Sequence, residues 1–555
     1  MTKFIFPTAR ILSQIGLGML ISIYLFLIYV CFKDYKFKKP SKNFLFYVLG
    51  VFIFFNLCAF IYAKACNFIY YWDNATYWII SRNIATGSLG SNFLTNIYNS
   101  IITDDYNVLA GIAPGIIESI FGGSRMCYIF AVTNCFFIPC AIMIRIFSKN
   151  TLKAIAITAF LPVLLFLALT GFVDVFGVAI CILCFLLAKK STLKRGFLIG
   201  ILLAFLILFR RWYAFFGISF LVGMFVKNVV DKKGYLSTIC ALTNVGMILT
   251  LFFMPLVTNK LLTDYSTLYA GYKFSLETDF HLITRYFGVI PLLLYLIASI
   301  YCIKKNDYRI IIPVVQIIIC FLLFTRTQTH GQQHLLLYVS SIVAILVYSL
   351  EKLNKNALIA VLIISIIISA NTLVDRPQPQ SLSEIKDFAL IPNFSMRGRN
   401  RDDARVVLEI KNRLDELYSD SKVGVNLSSL EINGDVLRNV QPSLNEKEHD
   451  SNYLIELPQV DSRDKDLEQF YNVDYILTSN PPLTHLGEEK QKLVDMAQKC
   501  LQNNIAFGKA FKKEEEEYKL GDITLLVYKK VKEVSESEKL EFSNMINDWF
   551  FSIIM

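Results

Sequence analysis

Long apolar runs separated by short polar stretches fill the first 370 residues of the chain. An α-helix needs about 20 consecutive apolar residues to cross the hydrocarbon core of a bilayer. Runs near that length lie at 11–32, 44–63, 127–147, 154–170, 173–188, 196–209, 212–226, 236–257, 287–303, 310–324, 335–350 and 357–370. The pattern predicts an α-helical polytopic membrane domain of about twelve spans.

Positively charged residues gather in every second loop between these runs. The basic loops lie at 33–42, 145–153, 189–195, 227–233, 304–309 and 352–355. Because cytoplasmic loops carry an excess of Lys and Arg, we expect these six to face the cytoplasm, and the loop at 66–125 and the chain after the last run to be extracytoplasmic. The net charge of +10 then reflects topology and contact with anionic lipid, and it does not indicate nucleic-acid binding.

The pattern changes after residue 374. Pro377 and Pro379 stop the last apolar run, and charged residues become more frequent beyond them. Helical spacing at 406–417 and 488–501 alternates with short apolar strands at 422–427, 473–478 and 523–529. The chain is therefore predicted to have two domains, which are a membrane domain at 1–374 with a large outer loop at 66–125, and a soluble extracytoplasmic α/β domain at 375–555.

Two carboxylates lie at the predicted outer ends of the spans. Asp73 stands among aromatic residues at 70–78, where the second run ends, and Asp174 lies in the turn between the fourth and fifth runs. Ionisable residues at membrane depth are costly and mark function by default. A carboxylate within reach of an acceptor hydroxyl can remove its proton as a general base. The alternative interpretation is a helix cap or a partner for an arginine.

Paired arginines end the sixth run on the same side. Arg210 and Arg211 are followed by Trp212 and Tyr213. The planar guanidinium group matches phosphate oxygens bidentately and tolerates partial desolvation, so the segment predicts a site for a lipid phosphate. Snorkelling of the two side chains to lipid headgroups is the alternative.

The turn at 325–334 concentrates polar side chains between two runs, which indicates a polar substrate cradle. Within it, the spacing of His330 and His334 fits a divalent metal if the segment is helical. Gly331 weakens such a helix, and no carboxylate lies nearby in the sequence.

These residues resemble the GT-C superfamily of integral-membrane glycosyltransferases, which use polyprenyl-phosphate-linked sugars. The likeness rests on Asp73 in a large outer loop, the Gly-x-x-Asp turn at 171–174, the Arg-Arg-Trp-Tyr segment at 210–213 and the Arg-x-Gln…His turn at 326–334. The segment at 473–486 looks like the outer domain of bacterial cell-envelope members. The chain departs from protein mannosyltransferases, which usually show an acidic pair where it has Asp73-Asn74, and from oligosaccharyltransferases, whose Trp-Trp-Asp motif its tail lacks.

The resemblance implies inverting transfer of a sugar from polyprenyl phosphate to an extracytoplasmic acceptor, which would be a cell-wall polymer, a polysaccharide or a protein. It implies Asp73 as the catalytic base, with Asp174 as a second catalytic residue. The residues implied in holding the donor phosphate are Arg210, Arg211, Arg326 and His334. Those implied in binding the substrate are Trp72, Tyr77, Tyr213, Gln328 and His330. A bacterial plasma membrane is the implied location, and a divalent metal is a possible cofactor.

Two other functional classes stay open at this stage. About twelve spans also suit a transporter or flippase of a lipid-linked saccharide, although such proteins typically show related halves and polar interruptions near the midplane. No half-repeat is evident in this chain, and its polar residues gather on one side. A polysaccharide polymerase or ligase would share the outward-facing architecture.

Overall fold

In this computed structural model the described residues are 22, 25, 28 and 29, and then 40–554 apart from 91, 378, 380 and 465. Helices dominate the chain up to residue 371. They are α1 (Lys42–Ala65), α2 (Trp72–Ala85), α3 (Phe93–Thr103), α4 (Ile112–Phe121), α5 (Arg125–Ser148, with a π-helical turn at Thr133–Phe137), α6 (Thr151–Ala159), α7 (Pro162–Leu169), α8 (Val175–Ala188), α9 (Leu193–Phe209), α10 (Tyr213–Asp231), α11 (Tyr235–Phe252), α12 (Leu276–Phe287), α13 (Val289–Lys304), α14 (Ile311–Thr327), α15 (Leu336–Leu350) and α16 (Lys355–Asn371).

Six helices in the described part of the chain are long and apolar enough to cross a membrane. They are α1, α5, α10, α11, α14 with its preceding turn, and α15 with its preceding turn. The count rises to eight if each of two bent pairs, α6 with α7 and α12 with α13, forms one span. The expectation of about twelve spans is therefore not confirmed, and the first predicted span, at 11–32, lies almost wholly outside the described residues.

Local backbone chemistry explains much of this difference. The apolar run at 154–170 breaks before Pro162, which has no N–H for the helical ladder, and its two halves meet at 68°. Near the start of the run at 287–303, Gly288 has a φ of 81°, which favours glycine, and α12 and α13 bend there by 86°. Helix α8 has only 14 residues, or about 21 Å at the α-helical rise, which falls short of the hydrocarbon core of about 30 Å.

Burial separates a central helix from lipid-facing ones. Every residue of α15 is buried, which matches a helix that is apolar all round. Helix α1 instead exposes large apolar side chains, including Phe46, Phe52 and Phe54. Such a continuous apolar surface is stable only in contact with lipid. The chain is a multi-pass membrane protein.

The C-terminal residues form a five-stranded sheet with helices on both faces. Its elements are α17 (Ala404–Tyr418), β1 (Val423–Val425), α18 (Gly434–Ser443), β2 (Leu454–Glu456), β3 (Tyr475–Asn480), α19 (Lys492–Asn503), β4 (Phe511–Leu520), β5 (Ile523–Lys530) and α20 (Glu536–Ile554). The strand order is β2-β1-β3-β5-β4, in which β1 pairs parallel to β2 and β3, and β5 pairs antiparallel to β3 and β4. We call residues 404–554 the sheet region. Its α/β character agrees with the sequence prediction.

Alternation along the strands builds two cores in the sheet region. On β5, Leu525 and Val527 pack toward α17 and α18, whereas Leu526 and Tyr528 pack toward α19 and α20. This is the period of two that a strand imposes on its side chains. Ile69, which precedes α2, joins the first of these cores and links the sheet region to the membrane helices.

Candidate functional site

Asp73 lies in the first turn of α2, where the positive end of the helix dipole stabilises a carboxylate. Its Oδ1 accepts a short hydrogen bond from the hydroxyl of Tyr106, and its Oδ2 accepts one from Gln333 Nε2 at 3.1 Å. The side chain keeps 16% of its surface exposed. The carboxylate is thus held by partners that lie 33 and 260 positions away along the chain.

Arg210 joins the two predicted carboxylates. Its Nε donates to Asp174 Oδ1 at 2.8 Å, and its Nη2 lies 3.7 Å from Asp73 Oδ2. We call Asp73, Tyr106, Asp174, Arg210 and Gln333 the Asp73 cluster. Asp174 is only 1% exposed, which makes it a buried anchor for the guanidinium group, whereas Asp73 keeps some access to solvent.

Aromatic rings enclose the Arg210 guanidinium. Its Cζ lies 3.9 Å from the ring centroid of Trp212, 4.6 Å from that of Tyr77 and 5.5 Å from that of Tyr106. A cation within about 6 Å of an aromatic centroid is attracted by the ring, and desolvation strengthens the attraction. The cage explains how a charged side chain is stable at a buried position.

Tyr213 and Trp212 hold the turn that carries Asp174. The Tyr213 hydroxyl donates to the Asp174 carbonyl oxygen at 2.7 Å, and Trp212 Nε1 donates to Asp174 Oδ1 at 3.1 Å. Tyr213 packs so closely on α8 that a Cβ at Gly177 would lie 2.2 Å from its ring. The geometry gives Tyr213 a positioning role.

The two arginines differ in their surroundings. Arg211 donates to Asp105 Oδ1 at 2.5 Å and to the Tyr269 hydroxyl at 3.1 Å, and Lys260 donates to the same Asp105 oxygen at 2.7 Å. Burial opposes ionisation of Asp105, but the hydrogen bonds from Lys260 and Arg211 outweigh it and lower the pKa of Asp105. Arg210 instead pairs with Asp174, whose pKa is raised by burial and further by the charge of Asp73.

Several buried polar atoms around Arg210 have no hydrogen-bond partner among the described residues. They are Arg210 Nη2, Asp174 Oδ2, Tyr77 Oη, Asn74 Nδ2 and His334 Nε2. The His334 ring lies edge-on to Trp212, with 4.3 Å between centroids, and its Nδ1 accepts from the Gly331 N–H at 2.8 Å. Because buried polar groups are normally paired, this concentration indicates a place for water or a polar ligand.

Three predicted site residues have no hydrogen bond or ion pair with Asp73, Asp174 or Arg210 among the described residues. Arg326 is exposed near the end of α14 and Gln328 is half-buried just beyond it. Among the described residues, no hydrogen bond or ion pair of Asp73, Asp174 or Arg210 involves either side chain. His330 is fully buried, with Nδ1 2.5 Å from Asp279 Oδ1 and Nε2 2.5 Å from the Tyr338 hydroxyl. Both of its ring nitrogens therefore have internal partners.

The donor set does not favour the suggested metal. Within the described ranges, no group of three or more His, Cys, Asp and Glu side chains could share a metal ion. Residues Gln332–Leu335 form a 3-10 turn, so His330 and His334 do not share one face of an α-helix.

Trp72 lies between the Asp73 cluster and the sheet region. Its indole ring packs on His485 with 4.2 Å between ring centroids, and the backbone N–H of Trp72 donates to Asp435 Oδ2 at 2.8 Å. Close by, Arg463 donates to the Tyr272 hydroxyl at 2.9 Å. Burial lowers the pKa of His485 to about 3. The sheet region thus docks directly against the start of α2.

Tyr106 and Gln333 are the functional candidates that sequence reasoning missed. Gln333 lies in the turn at 325–334, whose density of polar side chains indicated a substrate cradle without distinguishing Gln333 itself. Tyr106 is one of 28 tyrosines, and nothing local distinguishes it from the others.

No protein-family model matches the chain, and no curated protein matches it.

Proposed function

We propose that the protein is a membrane glycosyltransferase that moves a sugar from a polyprenyl-phosphate donor to an extracytoplasmic acceptor hydroxyl. One observation carries the proposal. A partly accessible carboxylate, Asp73, lies 3.7 Å from the buried guanidinium of Arg210, among polar atoms that lack hydrogen-bond partners in the part of the chain that the structure describes. A general base beside a fixed cation is the arrangement that displacement of a phosphate leaving group requires.

The donor phosphate is proposed to lie against Arg210 Nη2, with the Tyr77 hydroxyl and His334 Nε2 as further donors. All three atoms are buried and without hydrogen-bond partners among the described residues. Asp174 accepts a hydrogen bond from Arg210 Nε, and Arg210 Nη2 lies 3.7 Å from Asp73 Oδ2. Donors that are already in place cost no reorganisation when charge develops on the leaving phosphate.

The chemical step is a single displacement at the anomeric carbon. Asp73 takes the proton of the acceptor hydroxyl, whose oxygen forms the new bond to the anomeric carbon. The bond from that carbon to the phosphate oxygen breaks, and its electron pair leaves with polyprenyl phosphate. The anomeric configuration is inverted.

Other predicted residues take different places in this proposal. The guanidinium of Arg211 already pairs with Asp105 in the neighbouring loop, so Arg211 is proposed to lie between that loop and the donor. Trp72 is proposed to face the acceptor, since it lies at the junction with the sheet region. The proposed contacts do not include Arg326, Gln328 or His330, because among the described residues none of the three bonds to Asp73, Asp174 or Arg210. A bacterial plasma membrane, with the sheet region outside the cell, is the proposed setting.

The test uses the purified full chain in proteoliposomes supplied with a panel of radiolabelled polyprenyl-phosphate sugars and with bacterial envelope glycans and proteins as acceptors. We expect label in an acceptor and release of polyprenyl phosphate in equal amounts. The same vesicles report movement of a fluorescent lipid-linked saccharide across the bilayer. Transbilayer movement without transfer from any donor would contradict the proposal and favour a flippase.

A further inference from the structure

A polar cavity of about 210 Å³ lies where the end of α1 meets the sheet region. This volume exceeds by more than tenfold the roughly 10–15 Å³ that admits one water molecule. Its lining from the membrane helices includes Lys64, Asn67 and Arg125, and its lining from the other side includes Arg405 and Ser443. None of its lining residues belongs to the Asp73 cluster, so it is a separate site.

Two buried polar atoms at this cavity lack partners among the described residues. Arg125 is 5% exposed and Ser443 is 3% exposed, yet Arg125 Nη1 and Ser443 Oγ make no hydrogen bond. Arg125 Nη2 donates to the carbonyl oxygens of Ala63 and Cys66 at 2.9 and 2.6 Å. Arg125 Nη2 therefore stabilises the end of α1, while Nη1 is buried without a hydrogen-bond partner in the described part of the chain.

The charge of the lining favours an anion. Three cations, Lys64, Arg125 and Arg405, line the cavity together with a single carboxylate, Asp402. Asp402 Oδ1 accepts from Asn400 Nδ2 at 3.0 Å, and Arg405 pairs with Glu446 at 2.9 Å while remaining largely exposed. The amide of Asn400 is neutral, so Asp402 keeps its negative charge, and Lys64 and Arg125 together exceed it by one positive charge.

We propose that this cavity binds a phosphate group, either that of a lipid headgroup or a free phosphate. Donors approach it from both sides of the junction, and a phosphate group offers several acceptor oxygens that can meet them at once. The cavity lies at the end of α1, which is long enough to cross a membrane, and the ends of a spanning helix lie next to the polar headgroup region of the bilayer. Binding would tie the end of α1 to the sheet region, next to the point where the backbone N–H of Asn67 donates to Asn400 Oδ1 at 2.8 Å, just before that region begins.

The test measures binding by the purified full chain in an uncharged detergent. The probes are inorganic phosphate, short-chain phosphatidic acid and, as a lipid without phosphate, the matching diacylglycerol. The cavity variant is Lys64→Gln with Arg405→Gln, and the control, with the same loss of charge, is Lys386→Gln with Lys512→Gln. Ser443→Ala removes a buried donor without changing the charge.

We expect a phosphate-bearing probe to bind, the Kd to rise about tenfold in the cavity variant and about threefold in Ser443→Ala, and the control to match the native chain. Binding of phosphatidic acid alone assigns the site to a lipid headgroup, and binding of inorganic phosphate assigns it to free phosphate. Equal Kd values in the native chain and the cavity variant, preference for diacylglycerol, or no binding at all would overturn the proposal.

Discussion

Replacing Asp73 by asparagine tests the proposed base while disturbing its surroundings little. The amide oxygen can still accept from Tyr106, and the amide nitrogen can donate to Gln333 once that side chain rotates to present its oxygen. Arg210 keeps its partner Asp174 at 2.8 Å. We therefore expect a loss of stability of at most about 2 kcal/mol, the scale of one weakened hydrogen bond to a charged group.

The expected loss of activity is much larger. An amide cannot accept the hydroxyl proton, and a positioned general base contributes about 100- to 10,000-fold to the rate. The assay follows radiolabelled sugar from polyprenyl phosphate into acceptor, per amount of chain inserted in the membrane. A thermal unfolding midpoint measured on the same preparation separates loss of fold from loss of chemistry.

The matched control is Asp264→Asn, which neutralises an exposed carboxylate that bonds locally to Ser266 and Thr267. We expect its transfer rate to stay within about twofold of the native rate, as for most surface substitutions. If Asp73→Asn also transfers at the native rate with equal insertion, Asp73 is not the base and the proposed mechanism is wrong.

Three further outcomes follow from the geometry. Arg210→Lys should lower kcat/KM for the lipid donor about 10- to 100-fold, because lysine has one side-chain nitrogen and cannot pair with Asp174 while placing a second nitrogen near Asp73. An unchanged kcat/KM would show that Arg210 does not bind the donor. Arg326→Lys should change the same constant by less than about threefold, since the side chain is exposed, and a loss as large as that of Arg210→Lys would restore it to the site. The pKa of His485 is about 3 in the folded chain and 6.5 without burial, so only the unfolded state takes up its proton between those values, and stability falls as the pH drops below 6.5. Between pH 7 and pH 5 the sheet region should lose about 2 kcal/mol more in the native chain than in His485→Gln, measured by urea unfolding in detergent, and equal losses would contradict the burial argument.

Composition and periodicity were sufficient for the coarse architecture. Long apolar runs are recognised from the hydropathy of neighbouring residues alone, so the multi-pass membrane character could be predicted directly from the sequence. The helices and strands of the sheet region could also be predicted, because their patterns depend on residues close together in the sequence. The helix predicted at 406–417 is Ala404–Tyr418, and the strand predicted at 523–529 is Ile523–Lys530. The number of spans was not readable in this way, because Pro162 breaks the helix inside the run at 154–170 and some apolar runs, such as the one that forms α8, give helices too short to cross a bilayer.

For the candidate site, the sequence indicated the residue types but not their arrangement. The chemical types of Asp73, Asp174 and Arg210 marked them in the sequence, since charged groups are rare where apolar runs end. Their mutual distances could not be predicted, because they depend on how α2, α8 and α9 pack together. The same holds for Gln333, which lies 260 positions from its partner Asp73.

Tertiary structure alone separated the two histidines of one turn. In sequence, His330 and His334 look equivalent and four positions apart. In the fold, His330 has partners on both ring nitrogens, whereas His334 Nε2 has no hydrogen-bond partner among the residues that the structure describes. A residue type sets which bonds a side chain can make, but only the packing of distant helices decides whether a partner is there to complete them.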